Sequence, residues 1–214
     1  NYWSGYSGAD VDKDGLGDVP YFVSTYTTQP DNYPLVFDLV VSQATDEADA
    51  DLTDGRCDVD LATSGDQCTL RAAIQETNKR PGKQAILFNI PGSGTPVISP
   101  SKPLPDIIEE VIFDASLQPI GKVIIDGTNA GVNSNGLTVI NGDVSLKGLT
   151  IRNFTGNGIN AVGSGYVLLE NVDLQKNGAY GVIAEKDVFL NVKPVYSLQN
   201  THRALNTIAN NGNN

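Results

Sequence analysis

The sequence predicts an all-β fold: a right-handed parallel β-helix of about six coils, with an N-terminal capping α-helix and an acidic N-terminal extension. Three observations predict it. From about Cys68 onward, short β-prone runs alternate with Gly and Asn corners, and none is long enough for a large hairpin sheet. Two of the runs repeat. Laying residues 144–153 on residues 167–176 sets Leu149 over Val172 and Ile151 over Leu174. Asn157-Gly158-Ile159 is echoed, at a slightly shorter spacing, by Asn177-Gly178-Ala179. A repeat of about 20–23 residues suits one coil with two or three short strands, its inward aliphatics stacked on those of the next. Taken singly, the Asn-Gly pairs at 135, 141, 157 and 177 are hairpin signals. The repeat makes them corners of coils instead. Between Gln84 and Asn214 there is room for about six coils, a rod on the order of 30 Å long at about 4.8 Å per coil.

The elements follow in order. Residues 1–40 are aromatic and acidic. Residues 41–66, rich in Asp, Ala and Thr, read as a linker, or alternatively as an ordered acidic loop pinned by a disulfide and a cation. Residues 67–214 carry the coils. Within them residues 68–78 form a helix: Asp66 or Ser64 serves as N-cap, Leu70, Ala73, Ile74 and Thr77 recur at helical spacing, and Pro81-Gly82 ends it. Strands are expected at 85–90, 96–99, 111–113, 123–126, 137–140, 144–152, 158–162, 166–174, 180–184 and 188–192. A coil end exposes unpaired backbone and a hydrophobic cross-section, so a helix just before the first strand is placed to cap it.

Composition narrows the function. The net charge of −11 is confined to the front: residues 1–66 hold 14 acidic residues against Lys13 and Arg56, whereas residues 67–214 hold 11 acidic and 12 basic. That argues against nucleic acid and for bound cations. No apolar run approaches the roughly 20 residues of a membrane span. The chain begins at Asn1 and contains no Met, which predicts a processed product or a segment of a longer polypeptide. The two cysteines, Cys57 and Cys68, lie in a loop-like stretch with the single His202 remote, so a short disulfide is the simple reading. Such a loop closure contributes about 2–3 kcal/mol and implies an oxidising, extracellular setting.

Two resemblances carry weight. The stretch Gly65-Asp66-Gln67-Cys68-Thr69-Leu70-Arg71-Ala72-Ala73-Ile74-Gln75-Glu76-Thr77-Asn78, followed by Ile86-Leu87-Phe88-Asn89-Ile90-Pro91-Gly92 and by Ile125-Asp126-Gly127, resembles the start of the CSLREA-type β-helix domains. These are secreted domains of large surface proteins, and the resemblance implies the helical cap and a partner for Cys57. Ala72 and Ala73 depart from the usual Arg-Glu-Ala wording. The opening, with Asn1-Tyr2-Trp3-Ser4-Gly5-Tyr6, then Asp10 to Tyr21, then Asp31-Asn32-Tyr33-Pro34-Leu35, is similar to the closing segment of NosD-like β-helix proteins, where it ends the coil stack. Here the Asn-rich run that normally precedes it, 206–214, stands at the opposite end of the chain. The resemblance therefore implies head-to-tail continuation, the Asn214 end of one unit meeting the Asn1 end of the next.

Candidate sites come from the acidic front. Asp10, Asp12, Asp14 and Asp18, with Gly15 at the turn and the Leu16 carbonyl, supply hard oxygens at the spacing calcium favours. Tyr21 stands where an EF-hand would carry Glu, so the loop is not an EF-hand. Asp49, Asp51, Asp54, Asp58 and Asp60 form a second, less regular cluster, equally readable as a cation site or a solvated stretch. Tyr2, Trp3, Tyr6 and Tyr21 cover a hydrophobic end or, less simply, offer a sugar platform. Asn153-Phe154-Thr155 is a glycosylation sequon. For catalysis only Arg152, Asp173 and Lys176 are expected to approach one another, and surface salt bridging explains that trio more simply. The expectation is a non-enzymatic structural module of an extracellular filament or large repetitive surface protein, with calcium-stabilised joints and an adhesive capacity. The alternative is a polysaccharide-active enzyme or glycan-binding module.

Overall fold

A computed structural model describes residues 39–185 and 187–193. Its strands, all paired in parallel, stack into a β-solenoid of about five turns. The expected count of about six included residues 194–214, which lie outside the described residues. The first sheet runs β1 (Leu39–Val41), β2 (Gln84–Phe88), β4 (Val111–Asp114), β7 (Val144–Lys147), β10 (Ser164–Glu170) and β13 (Asp187–Val192). The second stacks β3 (Val97–Ile98), β5 (Val123–Asp126), β8 (Leu149–Arg152) and β11 (Asp173–Gln175), and the third β6 (Leu137–Ile140), β9 (Ile159–Val162) and β12 (Val182–Ala184). The strands on either side of the Asn-Gly pairs at 135, 141, 157 and 177 belong to different sheets, so these pairs are corners rather than hairpin turns.

The register settles the repeat. Val144 pairs with Val167, Thr150 with Asp173 and Ile159 with Val182, each a step of 23 residues, the same step that separates Asn157 from Tyr180. Leu174 accordingly sits on Ile151, as expected. The shorter echo between the Asn-Gly pairs does not hold. Asn157 aligns with Tyr180, whose N–H donates to its side chain, and Asn177 stacks over Phe154. The reason is that backbone bonds between coils, such as Gly158 N–H to Tyr180 O at 2.8 Å, follow the strand step and ignore similarity of corner residues.

Inward side chains line up in columns. Leu39, Ile86, Phe113, Leu146 and Leu169 succeed one another through the first sheet, each no more than 2% exposed. Ile98, Ile125, Ile151 and Leu174 do so in the second. Two runs expected to be continuous are broken at coil corners. Gly148, with φ of 70°, separates β7 from β8, and a Cβ there would lie 2.5 Å from Gly121 O. Asn171, with φ of 52°, separates β10 from β11.

The helix α1 (Leu70–Thr77) is capped by Thr69, not by Asp66 or Ser64. Thr69 Oγ1 accepts from Ala72 N at 3.1 Å and donates to Glu47 O at 2.7 Å. It can do this because its own backbone is extended, at ψ of 164°, as an N-cap requires. Leu70, Ala73, Ile74 and Thr77 are buried as the spacing predicts, but so are Arg71, Ala72 and Glu76. Stretch 41–66 accounts for this. It is an ordered loop bonded to the helix start, Ser42 N–H and Gln43 N–H both donating to Cys68 O and Asp49 N–H to Gln75 Oε1. Leu39–Val41, at its edge, is already the first strand of the stack, paired with β2.

Because the columns are tightly filled, truncating one of their members removes contacts on several sides. Ile151→Ala is expected to cost about 2–5 kcal/mol in urea unfolding. Val97→Ala, at an outward position 40% exposed, is expected to stay within about 1 kcal/mol.

Candidate functional site

The acidic loop is built from carboxylates turned back on their own chain. Asp49, Asp51, Asp54, Asp58 and Asp60 each accept from the backbone N–H two residues ahead, at distances of 2.9–3.1 Å. Asp49 also accepts from Asp58 N, Asp58 from Gln67 N, Asp51 from the Thr53 hydroxyl and Asp60 from the Thr63 hydroxyl. Such turns satisfy a carboxylate without a cation. The structure therefore does not bring the five to one point. Among the described residues no group of three or more His, Cys, Asp or Glu side chains gathers as metal ligands. The electrostatics differ from one carboxylate to the next. Burial pushes Asp49 up against its backbone donors, with Asp54 and Asp58 adding to the push, whereas the Thr53 and Thr63 hydroxyls hold Asp51 and Asp60 down.

A disulfide and a buried ion pair help to fasten the loop. Cys57 and Cys68 are bonded, with Cα atoms 5.0 Å apart and both residues buried. Asp46 and Arg71 pair at 2.9 Å with side chains 11% and 5% exposed. Arg71 spends its remaining donors on the carbonyls of Pro103 and Lys102, both at 2.9 Å, and Asp46 accepts from Ser101 N and Ser101 Oγ. A charge pair this buried holds only when its other hydrogen bonds are made, and here they are. Loop, helix and the 101–104 segment of the first full coil thus meet at one point. Deeper along the helix Glu76 lies 4.0 Å from Arg80, which also donates to Gly55 O. Sequence reasoning missed the Asp46–Arg71 pair. Twenty-five residues separate its members, and nothing local marks Asp46 apart from its acidic neighbours.

On the rod's flanks, charged side chains join successive coils. In the first sheet Asp114, Lys147, Glu170 and Lys193 occupy one outward column in alternating sign, with Asp114–Lys147 at 3.3 Å and Glu170–Lys193 at 3.0 Å. The second sheet adds a longer link. Lys122 reaches Asp173, two coils on, at 2.5 Å. The expected trio of Arg152, Asp173 and Lys176 is not assembled. Asp173 takes Lys122, Arg152 takes Asp126, and Lys176 sits at a corner with φ of 51°.

Asp126 is the most heavily hydrogen-bonded carboxylate of the coils. It accepts from Thr128 N and Oγ1, from Asn153 Nδ2 at 3.1 Å to both oxygens, and from Arg152 Nε at 2.8 Å. Burial works against its charge, but the bonds from Thr128, Asn153 and Arg152 outweigh that and hold its pKa at about 2. This network also occupies the sequon. Asn153 spends its amide on Asp126, Phe154 is buried against Gly127, and the Thr155 hydroxyl donates to Gly131 O. A glycan on Asn153 would replace one of the two Nδ2 hydrogens that this network uses.

Comparison with protein-family models, with curated proteins and with solved structures finds no match. Of the two resemblances, the coil fold itself is what the structure carries. Asp10, Asp12, Asp14, Leu16 and Asp18, the aromatics Tyr2, Trp3, Tyr6 and Tyr21, and the ends at Asn1 and Asn214 lie outside the described residues. No helix among the described residues is long and apolar enough to cross a membrane.

Two outcomes follow from this geometry. Reducing the Cys57–Cys68 bond, or replacing both cysteines with Ser, is expected to lower stability by about 2–3 kcal/mol in urea titrations. Asp126 ionises more readily folded than unfolded, its pKa moving from 3.8 to about 2, so its contribution is present above that upper value and is lost as pH falls between the two. Against Asp126→Asn, the wild type is expected to be more stable by about 1–2 kcal/mol at neutral pH, discounted because Arg152 is partly exposed. Unfolding curves of the two proteins should converge toward pH 2; a gap that stays constant with pH would remove the assigned role.

Proposed function

We propose that the chain is a structural module of an extracellular filament or a large repetitive surface protein. The observation that carries this reading is the use of flank charges. Asp114–Lys147, Glu170–Lys193, Asp126–Arg152 and Lys122–Asp173 are spent joining one coil to another, which suits a rod that bears load along its axis. A disulfide beside the cap supports an oxidising compartment, since such bonds persist where thiols are not kept reduced. The CSLREA-type wording around Cys68 and the NosD-like wording at the N-terminus support the same setting.

In this reading units associate head to tail, the Asn1 end of one copy meeting the Asn214 end of the next, and calcium stabilises the joint. Calcium is assigned to Asp10, Asp12, Asp14, Asp18 and the Leu16 carbonyl, on ligand chemistry and spacing. For the 49–60 cluster no cation is proposed, since among the described residues no three of its side chains gather as metal ligands. A second reading, a glycan-binding module, is favoured by Tyr166 and Phe189, strand partners on the outer face that are 38% and 63% exposed.

Negative-stain microscopy of native material with and without a calcium chelator tests the first reading. Filaments that shorten or come apart in chelator are the expected result, and a monodisperse monomer indifferent to calcium would overturn it. Retention of the protein on a polysaccharide column, lost on Tyr166→Ala with Phe189→Ala, would favour the second.

A further inference from the structure

The chain contains five Asn-Gly pairs, at 135, 141, 157, 177 and 211. They share a chemistry. The backbone nitrogen of a glycine, unshielded by a side chain, can attack the side-chain carbonyl carbon of the asparagine before it. Four of the pairs lie among the described residues, and the fold treats one of them differently.

In three pairs the nucleophile is tied up. Gly136 N–H donates to Asn157 O at 2.9 Å, Gly158 N–H to Tyr180 O at 2.8 Å and Gly178 N–H to Phe154 O at 2.7 Å. Their asparagines are held as well. Asn135 Oδ1 accepts from Asn157 N at 2.8 Å, Asn157 Oδ1 from Tyr180 N at 3.1 Å, and the buried Asn177 accepts from Phe154 N while donating to Ile151 O. Ring closure at any of these breaks a backbone bond between coils along with a side-chain bond.

Asn141-Gly142 forms the corner between β6 and β7. Asn141 is exposed, with φ of 53°, and among the described residues Gly142 N–H donates to no group. The Asn141 side chain is held by one bond, its Oδ1 accepting from Ser164 N at 3.2 Å. Opening that bond alone frees the reacting carbon. Local openings of this size are far more frequent than openings of the coil ladder.

We propose that Asn141 is a site of spontaneous modification in the folded protein. The Gly142 nitrogen, its proton passing to solvent, bonds to Asn141 Cγ, and the side-chain amide leaves as ammonia. Water then opens the ring at one carbonyl or the other, leaving aspartate or isoaspartate. The net change is asparagine plus water to acid plus ammonia. The corner has little slack for the product. A Cβ on Gly163 would lie 2.1 Å from Asn141 Oδ1, so the next coil already packs onto this side chain. Isoaspartate lengthens the main chain there by one carbon, and either product adds a carboxylate two residues from Asp143.

The test holds the full-length folded protein at mildly alkaline pH and follows each pair by peptide mapping with isoaspartyl-methyltransferase labelling. A parallel sample is kept unfolded in urea. In the folded protein acid is expected at 141 at least about tenfold faster than at 135, 157 or 177, since an inter-coil bond protects those three. Urea is expected to bring the four to comparable rates. Equal rates at the four sites in the folded protein, or protection of 141 to the level of the other three, would overturn the proposal. The pair at 211 is read on its own peptide and does not enter the comparison.

Discussion

Each coil of this protein rests on the one before it through two coupled interactions, a parallel backbone ladder and a column of aliphatic side chains. Neither works without the other. The ladder keeps Phe113 over Ile86 and Leu146 over Phe113, and the burial of those side chains, each contributing about 1.5–3 kcal/mol, keeps the ladder dry. A step that moved off register by one residue would turn every inward side chain to solvent. The later coils hold a uniform step, with Lys193 lying 23 residues beyond Glu170, whereas the earlier ones vary, with Lys147 lying 33 residues beyond its partner Asp114. The variation is taken up in the corners, since the strands have to stay paired.

The corners carry the chemistry that this stacking demands. Asn141, Asn153 and Asn171 hold positive φ, a conformation asparagine tolerates better than most residues. Others serve by side chain, Asn135 and Asn157 each accepting a backbone N–H from the coil that follows. Gly127 and Gly136 are needed for a different reason: a Cβ would meet Phe154 in the first case and Ile151 in the second, closer than 2.5 Å in both. These residues look alike in the sequence and act differently in space.

At the N-terminal end the exposed cross-section is covered by a small arrangement of its own. The helix lies next to β1, and the acidic loop lies over the helix, which leaves α1 buried on nearly every side. Burying Arg71 is tolerated because Asp46 and two carbonyls receive it. Asp49, Asp51, Asp54, Asp58 and Asp60 are here local turn-formers, with Arg56 bonded to Asp66 across the mouth of the disulfide loop. Clustered charge in a sequence is thus compatible with a site for a cation and equally with a chain that satisfies itself.

Much of this was legible in advance. Alternating aliphatics, Gly and Asn corners and the recurrence of Val144–Arg152 in Val167–Gln175 dictate a parallel stack, because local β propensity and the period of hydrophobic burial can both be read along one dimension. The helix, its buried face and the pairing of two lone cysteines were legible for the same reason. The tertiary structure alone decided which corner aligns with which, that Thr69 rather than a nearby acid caps the helix, and that Asp126 gathers Thr128, Arg152 and Asn153. It also decided that Lys122 reaches Asp173 two coils on. These are contacts between residues distant in sequence, set by how coils settle on one another, and a hydrogen bond of that kind leaves no period in the chain for a reader to find.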